Sequence, residues 1–182
     1  MQLIGAAFNV PYMIRVFLCL LLIGLSQNAS AQDVTGELTS VVNRGETNWQ
    51  IALPTSNRKS YWRQFPGSLQ VKITGLAVNA PNQSGRSMLS VAFYLLDPLD
   101  GHYVEEVDVV FTERGLIGAY VTEGHGDGSI IDLQAVQIAG DMLTVKGRFE
   151  VTLVYTDDFG VTLKRSNTRH ITGFFETSVK RR

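Results

Sequence analysis

The stretch Leu143-Thr-Val-Lys-Gly-Arg-Phe-Glu-Val-Thr-Leu-Val-Tyr155 alternates strictly between two kinds of residue. Leu143, Val145, Gly147, Phe149, Val151, Leu153 and Tyr155 fall on one side of an extended chain, with Thr144, Lys146, Arg148, Glu150 and Thr152 on the other. Side chains along a strand point to opposite faces in turn, so this pattern describes a strand with one face in a core and one in water. Ile171, Gly173, Phe175, Thr177 and Val179 repeat the scheme, and Val71, Ile73, Gly75 and Ala77 give a shorter version. Residues 89–96 are apolar on both faces, which reads as a central strand covered on both sides.

Turn chemistry separates these runs. Asn79-Ala-Pro-Asn-Gln-Ser-Gly85 is a polar loop, and Asp97-Pro-Leu-Asp-Gly101 supplies a turn with Pro at its second position. Ala139-Gly-Asp141 is a further break, and Asp157-Asp-Phe-Gly160 reads as a hairpin connection. No stretch after the first thirty or so residues keeps a 3.6 period for three turns. Residues 132–138 come nearest, and their β-branched flanks argue for another strand. The expected fold is therefore all-β, an antiparallel β-sandwich of about eight to nine strands, with a small closed lipocalin-like barrel as the alternative.

One internal echo stands out. Val145-Lys-Gly-Arg-Phe-Glu-Val151 and Ile171-Thr-Gly-Phe-Phe-Glu-Thr177 share the pattern apolar-x-Gly-x-Phe-Glu, 26 residues apart. Two copies are too few for a stacked solenoid. The simpler expectation is two strands of one sheet, each with a Gly where the sheet bends or a facing ring comes close.

The N-terminal part of the chain reads as an address. A single positive charge, Arg15, precedes the apolar run Val16-Phe-Leu-Cys-Leu-Leu-Leu-Ile-Gly-Leu25, and Ala29-Ser-Ala31 supplies small residues for a peptidase. These are the three parts of a secretory signal peptide, with cleavage near Ala31 and Met13 a plausible start. The apolar run is well short of the ~20 residues that span a bilayer, so no transmembrane anchor is expected after processing. Residues 32–182 then form a single all-β domain, located in the periplasm or outside the cell.

Composition narrows the function. The chain has 182 residues, 45% apolar and 18% charged, which suits one packed domain. Sixteen Lys and Arg face 17 Asp and Glu, a balance that excludes the strongly basic footprint of a nucleic-acid binder. Arg15 is the only charge in residues 1–31, so cleavage leaves 15 cations against 17 acids and a net charge of −2. The single Cys, Cys19, lies inside the leader, so the processed domain has no thiol, no disulfide and no Cys-based metal site.

Catalytic motifs are missing. There is no Gly-x-Ser-x-Gly, no His-Glu-x-x-His and no Gly-Lys-Ser/Thr loop, so no catalytic residue and no cofactor is implied. His102, His125 and His170 do not pair at metal-ligand spacing, and no metal site is expected. Gly124-His-Gly-Asp-Gly128 reads as a hairpin tip rather than a calcium loop, since three Gly primarily supply positive φ. Glu106 and Asp108 would share a strand face, where they read as solubilising edge charges.

Asn57-Arg-Lys-Ser-Tyr-Trp-Arg-Gln-Phe65 is the best candidate for recognition. Flat aromatic rings offer apolar faces to sugars or partner side chains, and adjacent Arg can engage carboxylates. With the other Trp, the candidate ligand- or partner-binding residues are Trp49, Arg58, Lys59, Tyr61, Trp62 and Arg63. The competing reading is that both Trp pin an irregular N-terminal section, residues 43–67, onto the sheet. The tail Val179-Lys-Arg-Arg182 reads as a frayed, solvated end. The expected function is a non-enzymatic exported β-domain that binds an envelope protein or glycan; the alternative is a carrier of a small apolar ligand inside a barrel.

Overall fold

The computed structural model describes residues 36–42, 45–51, 60–78, 87–96, 103–113, 117–124, 129–158 and 160–182. The leader and its cleavage point at Ala31 lie outside the described residues, as do Arg58, Lys59, the turns at 79–85 and 97–101, His102, and His125 with the rest of its Gly-rich turn after Gly124.

The described residues form ten strands: β1 (Gly36–Val42), β2 (Gly45–Ile51), β3 (Tyr61–Phe65), β4 (Ser68–Ala77), β5 (Met88–Leu96), β6 (Tyr103–Thr112), β7 (Ala119–Val121), β8 (Ile130–Ala139), β9 (Met142–Thr156) and β10 (Lys164–Lys180). All pairings between them are antiparallel. The fold is the all-β antiparallel sandwich expected from the alternation. The strands are hydrogen-bonded as one continuous sheet that folds over into two layers, one running β8-β9-β10-β1-β2 and the other holding β3 and β5 on either side of β4, with β6 beyond β5. The pairings also close a circuit through β2–β4 and β6–β7–β9. That closure rests on three residue pairs between β2 and β4 and two between β6 and β7. Such short corners join two facing sheets rather than forming an evenly paired barrel wall.

The space between the sheets is filled by side chains from both. Phe93 of β5 stacks on Phe175 of β10 with centroids 6.0 Å apart, and Trp49 of β2 meets Phe111 of β6 edge-on at 6.1 Å. Leu143, Val145, Phe149, Val151 and Leu153 are buried, as their period requires. The echo is one of pairing: Gly147 stands opposite Phe175 and Phe149 opposite Gly173, so each Gly receives the other strand's ring.

Four expectations change. Of residues 43–67, expected to be irregular, those described include two strands, β2 and β3. Only Trp49 and Ile51 of β2 and Trp62 of β3 are fully buried, which is too thin a signal for alternation to reveal. Residues 89–96 are covered on both faces only at their start: Leu89, Val91, Phe93 and Leu95 are buried on one face, while on the other Ser90 is buried and Ala92, Tyr94 and Leu96 are half-buried. The phase of β9 also slips, so that Val154 and Thr156 are buried and Tyr155 half-buried, beside a bulge where Lys164 pairs with Tyr155 but Thr168 with Val154. A second bulge divides β6: Asp108 opposes Ala92, Glu105 opposes Tyr94, and Glu106 takes a left-handed φ of 50° between them. Glu105, not Glu106, therefore shares the outer face with Asp108.

Candidate functional site

The site begins at a hairpin. β3 alternates around Trp62 and ends at Pro66-Gly67, where Gly67 adopts φ 76° as the third residue of a Pro-Gly turn requires. The chain then returns as β4, with Tyr61 opposite Lys72, Trp62 opposite Val71, Arg63 opposite Gln70 and Phe65 opposite Ser68. Val71 is fully buried, so Trp62 points inward with it. Tyr61, Arg63 and Phe65 point the other way, onto the outer face of the sheet. One strand further, Tyr94 of β5 lies opposite Gln70 and accepts a hydrogen bond from its side-chain amide at 3.0 Å. Phe65, 41% exposed, leans against Tyr94 with centroids 6.1 Å apart.

The two Trp rings belong to the core. Trp62 is 2% exposed, and its indole N–H donates to the Asp141 carbonyl at 3.0 Å. Trp49 is 4% exposed and donates to Ser40 Oγ at 2.8 Å. A buried indole needs an acceptor for its one donor, and each has found a fixed one. Nor do they share a location. Trp49 pairs with Ala77 and Trp62 with Val71, six residues apart on β4 or about 20 Å.

What joins the β3 face instead is the C-terminus. The tail is not frayed: Arg181 N–H donates to the Asp141 carbonyl at 2.7 Å and Arg182 N–H to the Trp62 carbonyl at 3.0 Å. Residues 62 and 181 form a parallel bridge. Three backbone and side-chain donors thus converge on the β8–β9 turn and β3, and they fix the last residues in place. The Arg181 guanidinium covers the Trp62 ring at 5.2 Å and donates to Gln64 Oε1 at 3.0 Å. The Arg182 guanidinium lies 5.3 Å from the Tyr61 centroid, and that of Arg63 lies 5.0 Å from the same ring. Lys180 reaches Asp141 at 3.4 Å.

A larger concavity of about 460 Å³ lies on the outer face of the opposite sheet. Two rungs frame it, Asp132–Arg148–Phe174–Thr39 and Ile130–Glu150–Thr172–Val41. Its charges are mixed in sign, and Lys146 already sits 5.5 Å over its half-buried ring, Phe174. A second hollow, about 250 Å³, opens at the β2–β4 corner between Val42, Trp49, Ala77 and Phe111, with Glu46, Thr47 and Ser87 at its rim. Among the described residues no three His, Cys, Asp or Glu side chains gather as metal ligands. His170 is exposed beside Glu150 at 3.6 Å.

No protein-family model, curated protein or solved structure matches the chain. The chemistry of the surface therefore has to carry the functional reading by itself. Of the residues singled out in the sequence, Tyr61 and Arg63 stand together on the β3 face, Trp62 lies beneath them, and Trp49 lies elsewhere in the core. Phe65 was already within the quoted segment. Lys72, Tyr94, Arg181 and Arg182 join it only through strand pairing. The Pro66-Gly67 dipeptide between two alternating runs was the one local signal that could have placed β3 beside β4.

Proposed function

We propose that this chain is an exported β-domain without catalytic activity that binds a glycan or protein partner of the cell envelope through the outer face of β3–β5. The observation that carries this reading is the contact of exposed Phe65 with half-buried Tyr94, set beside the Arg63, Lys72 and Arg182 cations. Aromatic rings with an apolar face and a polar rim are suited to sugars and to partner side chains alike. The cations of β3, β4 and the tail gather at one side of this face, with Glu105 and Asp108 beyond them on β6, whereas in the groove opposite Arg148 stands directly between Asp132 and the Glu150 rung. Export rests on the leader pattern around Arg15 and Ala31.

The test is a double substitution, Tyr61→Ala with Phe65→Ala. Both side chains lie on the outer face, so the circular-dichroism spectrum should be unchanged. Binding on a glycan array or to co-purified envelope proteins should weaken at least about tenfold, corresponding to ~1.4 kcal/mol of lost ring contact. Undiminished binding by a folded double variant rules this face out.

A second reading, a carrier of a small apolar ligand, is favoured by the hollow between Val42, Trp49, Ala77 and Phe111. Mass spectrometry of a solvent extract from natively purified protein tests it, and an empty extract counts against it.

A further inference from the structure

We propose that the partner is an acidic polysaccharide, whose anionic substituents are held by Arg63 and Arg182 around the Tyr61 ring while Phe65 and Tyr94 lie against its sugar rings. This inference rests on the reading of the β3–β5 face as a binding surface and names the ligand that face takes.

Two basic segments far apart in the sequence are brought together here by backbone bonds. Arg182 N–H reaches the Trp62 carbonyl, and the parallel bridge of residues 62 and 181 aligns the tail with β3. The two guanidiniums, 5.0 and 5.3 Å from one ring centroid, stand no more than about 10 Å apart. That limit is comparable to the screening length at physiological salt, ~8 Å, so their repulsion is only partly screened. Lys72 adds a third cation directly across the ladder from Tyr61.

Among the described residues, none of these three cations has a carboxylate within ion-pair distance. Lys146, Lys164, Arg165, Arg169 and Lys180 each have one. The acids nearest along the sheet, Glu105 and Asp108, stand on β6 beyond β5, and the chain has more acids than cations, so the lack of an ion pair around Tyr61 does not follow from composition. An anionic ligand would relieve the crowding that the backbone imposes. Guanidinium forks match carboxylate and sulfate oxygens in geometry as well as charge, and stacking on Tyr61 pre-orders them for the contact.

The face favours a polymer. Tyr61 and Phe65 share one side of a strand four residues apart, so anion site and ring platform are separated by about 13 Å. A chain of sugar rings can occupy both at once, with its charged substituents at one end of the contact.

The experiment uses the processed full chain and four probes: polygalacturonate, dextran sulfate, neutral dextran, and phosphatidylcholine vesicles containing phosphatidylglycerol. Binding to at least one acidic polysaccharide is expected, stronger than to neutral dextran and falling as salt is raised. Arg63→Ala and Arg182→Ala should each weaken it about tenfold, and Arg182→Lys should retain part of the loss because charge remains without the fork. The Arg182 backbone bond to Trp62 survives all of these changes, and an unchanged thermal midpoint checks the fold. Should a variant fail to fold, the salt dependence and the acidic-over-neutral preference of the unaltered protein decide the matter. Equal binding to neutral and acidic polysaccharide, lost in the Tyr61→Ala Phe65→Ala variant, overturns the anion assignment and leaves the surface reading standing. Binding to vesicles without binding to polysaccharide overturns it in favour of a lipid. No dependence on Arg63, Arg182, Tyr61 or Phe65 overturns both.

Discussion

The ring of Phe149 occupies the space that a side chain at position 173 would need. A Cβ built on Gly173 stands 2.3 Å from two Phe149 ring carbons and 2.5 Å from the Thr39 carbonyl oxygen. Phe175 does the same to Gly147 with less severity, its Cζ 3.0 Å from the missing Cβ. The two directly opposed pairs interlock across the β9–β10 ladder, and Phe175 continues the contact by stacking on Phe93 of the facing sheet. Gly173→Ala is therefore expected to destabilise by about 1–3 kcal/mol, the cost of overpacking. Introducing Phe149→Leu beneath it should recover part of that loss, and only part, since the Thr39 carbonyl remains in the way. Urea midpoints at constant m-value measure both effects. A Gly173→Ala protein as stable as the parent, to within about 0.5 kcal/mol, contradicts this account of the echo.

Much of this was legible before any coordinates, and the reasons it stopped are local. Strands with one wet face announce themselves by period two, which is why β9 and the inner half of β10 follow the sequence almost residue by residue. The period slips wherever a bulge inserts a residue, as at Glu106 and between Lys164 and Thr168. No local signal marks those slips. β2 and β3 went unseen because each buries only one or two side chains. The site was half legible for a related reason. An aromatic on a short strand faces core or water according to register, and register belongs to the partner strand. Tyr61 and Trp62 are neighbours in the chain and end on opposite sides of the sheet. The meeting of Arg182 with Tyr61 is a tertiary fact, invisible to any window of sequence.

Ser40 and Trp49 offer a cleaner test of the core. Ser40 is buried, and its hydroxyl is the acceptor for the Trp49 indole N–H at 2.8 Å. Ser40→Ala leaves that donor buried without a partner, which should cost about 1–3 kcal/mol. In a Trp49→Phe background the donor is already gone, so the same Ser40→Ala change should cost clearly less. A double-mutant cycle by chemical denaturation reads the difference as coupling. Strictly additive costs would mean the bond contributes nothing.

The docked tail should matter to stability as well as to binding. Deleting residues 181 and 182 removes the hydrogen bonds to the Asp141 carbonyl, the Trp62 carbonyl and Gln64, and lifts the Arg181 guanidinium from the Trp62 ring. Each neutral bond contributes about 0.5–1.5 kcal/mol, so a total loss of about 1–3 kcal/mol is expected after partial replacement by water. Trp62 should become more accessible to acrylamide quenching in the shortened chain. An unchanged midpoint together with unchanged quenching would restore the view of a free, solvated end.

The β9–β10 connection carries a pH signature that can be separated from the rest. Asp158 accepts hydrogen bonds from Thr162 and from the Thr156 hydroxyl, its Oδ1 lying 2.8 Å from both Thr162 N and Thr156 Oγ1. These bonds favour the ionised carboxylate, with Thr162 contributing most through its side chain and then its backbone N–H, and they lower the pKa from 3.8 to about 2. The folded value lies below the unfolded one, so the unfolded chain binds the proton first as pH falls. The stabilising contribution is complete above pH 3.8 and is lost as pH drops through about 2. Asp158→Asn should therefore flatten the rise of stability with pH across that window and leave its slope near neutrality unchanged. Carboxyl NMR of the folded protein should place the Asp158 midpoint near 2. A midpoint at the ordinary carboxylate value, or an acid limb identical in the Asn variant, would show that the turn's hydrogen bonds do not hold the charge.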